Sequence, residues 1–153
     1  MPLTPLAEFI STYYEPQVVV EVGIGKKWDI AIQLSSAGFK VIATDIMDLE
    51  PEDFDFVKDD ITNPDISLYK KSGLIYSIRP PPELFSSIIH VARSAGADCL
   101  IRPLGNEFPQ GGELINYRGE RFYLWRVERF YLWRVEREYR ERKMEKREMR
   151  ENE

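Results

Sequence analysis

Five short apolar runs alternate with helical stretches over the first two thirds of the chain, and this alternation is the strongest constraint on its fold. The first run, Val18 to Val22, is β-branched throughout except at Glu21, the pattern of a strand covered on both faces. "FKVIATD", "FDFVKDD", "LIYSI" and "DCLIRPL" are the other four. Between them, Trp28, Ala31, Ile32 and Leu34 mark a helix closed by Gly38. Asn63-Pro64 opens a short helix through Leu68 and Tyr69, ending before Gly73. "RPPPELFSSIIHVARSAG" reads as a capped helix with Phe85, Ile88, Ile89 and Ala92 in one apolar stripe. Such alternation implies right-handed crossovers, so the expected fold is α/β: three layers, with a parallel sheet of about five strands between helices.

The two ends depart from that rhythm. Thr4-Pro5 is a helix-start signal, and Leu6, Phe9, Ile10 and Tyr13 recur at helical spacing, so residues 1–16 form an N-terminal helix. "ELINYRGERFYLWRVE", residues 113–128, alternates around Arg118-Gly119 as an antiparallel hairpin does. The octapeptide "RFYLWRVE" occurs twice in tandem, at Arg121 to Glu128 and at Arg129 to Glu136. Eight residues are too few for a solenoid repeat, so this is a duplicated segment. The first copy is expected to complete the sheet edge; the second prolongs that strand or begins a helix. The chain thus divides into one domain, 1–136, and a charged tail, 137–153. The tail is rich in helix formers, pairs Glu138 with Arg142 at i,i+4 and lacks a continuous apolar face, so it is expected to be solvated.

Composition removes several function classes. Cys99 and His90 are the only residues of their kinds, which leaves no disulfide framework and no Cys/His metal site. Cys99 reads as a small apolar filler inside a strand, and His90 as a surface residue. No apolar run approaches the ~20 residues needed to span a bilayer, so no membrane partner is expected and the chain reads as cytoplasmic. From Arg118 onward there are 12 Lys and Arg against 9 Asp and Glu, whereas the preceding body has 9 against 17. An acidic body argues against a broad nucleic-acid surface, and only the basic tail keeps a claim on RNA.

In an open parallel sheet, ligands bind beyond the carboxyl ends of the strands. Those ends carry Glu21, Gly23 and Gly25; Asp45; Asp59, Asp60 and Ile61; Arg79; and Arg102. Gly23 and Gly25 would let a ligand approach main-chain N–H groups at a helix start. Asp45 lies about 20 residues beyond the glycines, the distance at which an acid reaches ribose hydroxyls. A dinucleotide turn requires a third small residue, yet Trp28 stands there, and it has no use for an acid two residues before the first glycine. Glu21 in that place suits a nucleoside with a cationic amino-acid arm.

With these residues the chain resembles the class I, Rossmann-like S-adenosylmethionine-dependent methyltransferases, from Val18 to Glu128. "EVGIG" matches their glycine motif, Asp45 their ribose acid and "KDDIT" the segment flanking adenine. Its small size and "RPPPEL" look more closely like a family of small, uncharacterised archaeal Rossmann-like proteins. The resemblance implies that Glu21, Gly23 and Gly25 line the methionine part, Asp45 the ribose, and Asp60 with Ile61 the adenine. It implies S-adenosylmethionine or S-adenosylhomocysteine as cofactor, without a metal.

The acceptor side departs from that pattern. Many amino-group methyltransferases carry an Asp or Asn before Pro-Pro after strand four, and Arg79 stands there instead; arginine accepts no hydrogen bond. Arg79 and Arg102 end adjacent strands before prolines, and two guanidinium forks would bind a carboxylate or phosphate. The alternative is that each pairs with a carboxylate such as Glu83 or Glu107. Glu83 is the candidate general base, although a first-turn glutamate also stabilises its helix. The expected function is S-adenosylmethionine binding with methyl transfer to an anionic small molecule or RNA. A non-catalytic nucleoside-binding module is the alternative, and an NAD-linked enzyme a weaker one.

Overall fold

The computed structural model describes residues 2–127 and 140–150. Among the described residues seven strands form one sheet: β1 (Val18–Val22), β2 (Lys40–Asp45), β3 (Asp55–Lys58), β4 (Leu74–Ile78), β5 (Asp98–Arg102), β6 (Glu113–Tyr117) and β7 (Glu120–Trp125). Their order is β3-β2-β1-β4-β5-β7-β6. The first five pair in parallel, and β7 runs antiparallel to both β5 and β6. This is the expected α/β fold with a terminal hairpin.

Four helices cover the sheet: α1 (Pro5–Tyr13), α2 (Asp29–Ser36), α3 (Ile66–Tyr69) and α4 (Phe85–Ala95). Period-two alternation sends Val19 to one face and Val20 with Val22 to the other. Leu6, Ile10, Ala31 and Leu34 of α1 and α2 close the first face, and Tyr69, Ile88, Val91 and Ala92 of α3 and α4 close the second. Thr4 caps α1 by accepting the Ala7 N–H on its hydroxyl. Each fully buried aliphatic side chain contributes roughly 1.5 to 3 kcal/mol.

Several expectations are corrected. The first octapeptide copy does not complete the edge: β7 inserts between β5 and β6, because Phe122, Tyr123, Leu124 and Trp125 are all buried and need cover on both sides. The edge falls to β6, joined to β7 through Arg118 and Gly119, both at positive φ (48° and 85°) as a two-residue hairpin turn requires. In α2 Ile30 is buried with Ala31 and Leu34, while Ile32 is 36% exposed, and Trp28 precedes the helix. A 3-10 turn, Pro82–Leu84, comes before α4, which begins without a side-chain cap. The third strand ends at Lys58, because Asp59 turns the chain by accepting the Asp65 N–H (3.1 Å) and the Tyr69 hydroxyl (2.6 Å).

His90 is exposed and Cys99 fully buried, as the sequence suggests, and burial pushes the Cys99 thiol up. Residues 140–150 are helical and exposed. The second octapeptide copy and Glu138 lie outside the described residues. Among the described residues no helix is long and apolar enough to cross a membrane, and no cluster of His, Cys, Asp or Glu is arranged to hold a metal ion.

Candidate ligand-binding site

The chain runs from β1 outward to β3 and resumes at β4 on the other side of β1. Strand order therefore reverses between β1 and β4, which opens a crevice at their carboxyl ends. The turn after β1 is held from three sides. Gly23 and Ile24 donate their N–H groups to the Thr44 carbonyl (2.8 and 3.1 Å), and Gly25 donates to Asp45 Oδ2 (2.8 Å). Trp28 donates its indole N–H to the Gly25 carbonyl (2.8 Å) and packs edge-on against Phe54. Gly23 and Gly25 have φ of 68° and 58°, a region closed to most side chains. The fold itself uses the N–H groups of Gly23 and Gly25, and the glycines also serve the turn.

Two cavities border this edge. One, of about 330 Å³, brings together Gly23, Asp45, Asp60 and Ile61 with Thr44, Ser77 and Arg79. Asp45 accepts the Met47 N–H on Oδ1 (3.0 Å) as well as the Gly25 N–H, so its carboxylate is fixed at the rim. Asp60 is exposed, and the Thr62 hydroxyl and N–H (2.7 and 2.9 Å) hold its carboxyl below the usual range. Ile61 is buried, and Ser77 donates to the Val22 carbonyl (2.8 Å), tying β4 to β1 beneath the cavity.

The other cavity, of about 290 Å³, opens towards α1 and α2 and is bordered by Glu21, Lys26, Lys27, Asp29, Arg79, Arg102 and Glu120. Glu21 thus stands apart from the Asp45 set, and Gly25 borders neither cavity. Glu21 is 2% exposed; burial pushes its carboxyl up to about 8, against the influence of Tyr76 and with that of Asp29. Tyr76 is its direct neighbour in the β1–β4 register. The Tyr76 hydroxyl acts on the carboxyl as a hydrogen-bonding neighbour, and that hydroxyl and Glu21 Oε1 are both buried with no partner besides each other.

The two arginines do converge. The Arg79 N–H donates to the Arg102 carbonyl (2.7 Å), and both residues border the 290 Å³ cavity. Arg79 also borders the other, is exposed, and holds a φ of 53°, an unusual conformation for a residue with a side chain. Arg102 forms an ion pair with Glu120 (3.4 Å), not with Glu107, whose carboxylate accepts the Gly105 N–H. Glu83 does not join them: it is exposed and borders a separate cleft with His90 and Phe108. Tyr76 and Glu120 escaped the sequence reading, since their places follow from strand register and from the insertion of β7.

This sheet order, with its crevice and its antiparallel β7 inserted between β5 and β6, defines a Rossmann-like fold of the methyltransferase type. The crystal structure of an RNA methyltransferase from Salinibacter ruber, in complex with S-adenosyl-L-homocysteine, superposes with a TM-score of 0.56 at 13% identity, over 83% of this chain and 94% of that one. Residues 3–127 match the family described as "Uncharacterised protein family (UPF0146)", and the chain belongs to it. A UPF0146 protein of Archaeoglobus fulgidus is 46% identical over 120 residues, spanning 78% of this chain and 91% of that relative. Another from Methanocaldococcus jannaschii is 42% identical over 128 residues, spanning 78% and 93%.

Proposed function

We propose that the chain binds S-adenosylmethionine or S-adenosylhomocysteine at the crevice between β1 and β4. The observation that carries this reading is the convergence of Gly23, Asp45, Asp60 and Ile61 on the 330 Å³ cavity at the point of strand reversal. Asp45 accepts from the ribose hydroxyls, and Asp60 with Ile61 flanks the adenine. A neighbour of the same fold that holds S-adenosyl-L-homocysteine supports the choice of ligand.

The reaction that suits this site is methyl transfer to an anionic acceptor, a small molecule or RNA, steered by Arg79 and Arg102. Such a reaction requires alignment of acceptor and methyl group more than acid–base chemistry, in keeping with the remote position of Glu83. For RNA, the helix at 140–150, with six Lys or Arg against three Glu, would add contacts. A non-catalytic nucleoside-binding module is the second reading. It is favoured by Arg79 standing where amino-group methyltransferases carry an acceptor side chain.

Calorimetry with S-adenosylmethionine, S-adenosylhomocysteine and NAD tests the ligand: the first two should bind and NAD should not. Absence of binding below millimolar concentration for all three would overturn the reading. Labelled methyl transfer to extracted RNA and metabolites then separates the enzyme from the module.

A further inference from the structure

The 290 Å³ cavity contains a buried polar group outside the set assigned to the ribose and the adenine. Glu21 borders it at 2% exposure, and its Oε1 has no partner besides the Tyr76 hydroxyl. Burying a carboxyl with only one hydrogen-bonding neighbour costs a folded chain free energy, so its persistence beside a cavity points to a ligand. Behind it the fully buried Tyr76 hydroxyl, with no other partner, faces Glu21 from β4.

The surroundings decide the sign of that ligand. Lys26 and Lys27 from the glycine turn, Arg79 after β4 and Arg102 of β5 face Asp29 of α2 and Glu120 of β7: four cations against two carboxylates, besides Glu21. Glu120 is committed to Arg102. Arg79 has no ion pair among the described residues, although its backbone is held at a φ of 53°. Strain of this kind persists where the surroundings enforce it, often at ligand sites.

We propose that this cavity binds the oxyanion of a small second ligand, a carboxylate or a phosphate ester, with Glu21 as hydroxyl donor, Tyr76 as the residue that positions it, and Arg79 as the countercharge. A carboxylic acid kept neutral by burial can donate to an anion, and the rise of Glu21 to about 8 fits that role. The inference depends on the proposed function only in making this ligand the methyl acceptor; the anion site stands without a nucleoside.

The test uses the whole chain without nucleoside and two probes whose charge is constant from about pH 6.5 to 9.5, sulfate and acetate. Calorimetry should detect binding at the lower pH, weakened by about tenfold or more at the higher one, because an anion cannot share the site with an ionised Glu21. Glu21→Gln keeps a donor and the shape, so it should bind with little dependence on pH. Arg79→Ala should weaken binding by at least about tenfold. Preference for sulfate assigns a phosphate ester, and preference for acetate a carboxylate. The proposal is overturned by an affinity that rises with pH, the signature of a cation at Glu21, by an unchanged slope in Glu21→Gln, or by failure of both probes to bind. None of these outcomes touches the nucleoside calorimetry, so the two readings fail separately.

Discussion

Asp45 Oδ2 and the Gly25 N–H are 2.8 Å apart, so the residue assigned to the ribose also braces the glycine turn. Asp45→Ala removes this bond and the one to Met47, and is expected to lower unfolding stability by about 1 to 3 kcal/mol. It should also weaken S-adenosylmethionine by roughly 1.5 to 3 kcal/mol, as for a charged hydrogen bond. Urea titration and calorimetry on the same variant read the two effects. Lost stability with unchanged affinity would confine Asp45 to the turn.

Arg79 adopts a backbone conformation that asparagine tolerates better than arginine. Arg79→Asn should therefore raise stability by about 1 kcal/mol while removing the guanidinium from both cavities. Chemical denaturation measures the gain. A stability equal to or below that of the parent chain would show that the side chain contributes more to the fold than its backbone strain costs.

Glu21 gives the fold a pH dependence of defined sign. Its carboxyl sits near 8 in the folded chain against 4.5 as the ordinary value. The folded state keeps a proton that the unfolded state releases, so the contribution is complete below about pH 4.5 and fades as pH rises to about 8. Across that window the loss approaches about 1.4 kcal/mol per pH unit. Urea midpoints measured from pH 5 to 9 should fall more steeply for the parent chain than for Glu21→Gln. Parallel profiles would contradict the neutral carboxyl.

The family match ends at residue 127, and residues 140–150 are exposed. Truncation after Glu136 is expected to leave the unfolding midpoint within about 0.5 kcal/mol of the full chain, the range of surface changes. A larger loss would place the charged tail among the elements that stabilise the fold.

Much of the fold is legible because β1 and β4 are buried on both faces and leave continuous apolar runs, Val18 to Val22 and Leu74 to Ile78. Phase was harder to read in α2, where eight residues cannot distinguish Ile30 from Ile32 as the buried position. Asp45, Asp60 and Ile61 could be read as one site because parallel strands bring consecutive carboxyl ends together. Glu21 was visible as an acid beside glycines, but its partner was not: Tyr76 meets it only through the register of β1 on β4. Arg102 was likewise visible without Glu120, which arrives through a hairpin whose place in the sheet no local pattern records.

The position of β7 between β5 and β6 has a consequence for synthesis. Neither neighbour pairs with the other, so β6 has no hydrogen-bonded partner until β7 is made. A chain emerging from the ribosome can assemble its five parallel strands in order, yet the wall of the 290 Å³ cavity that carries Glu120 is added last. The nascent protein therefore holds the crevice between β1 and β4 before its 290 Å³ cavity is complete, and β5 stays an open edge until residue 125 has emerged.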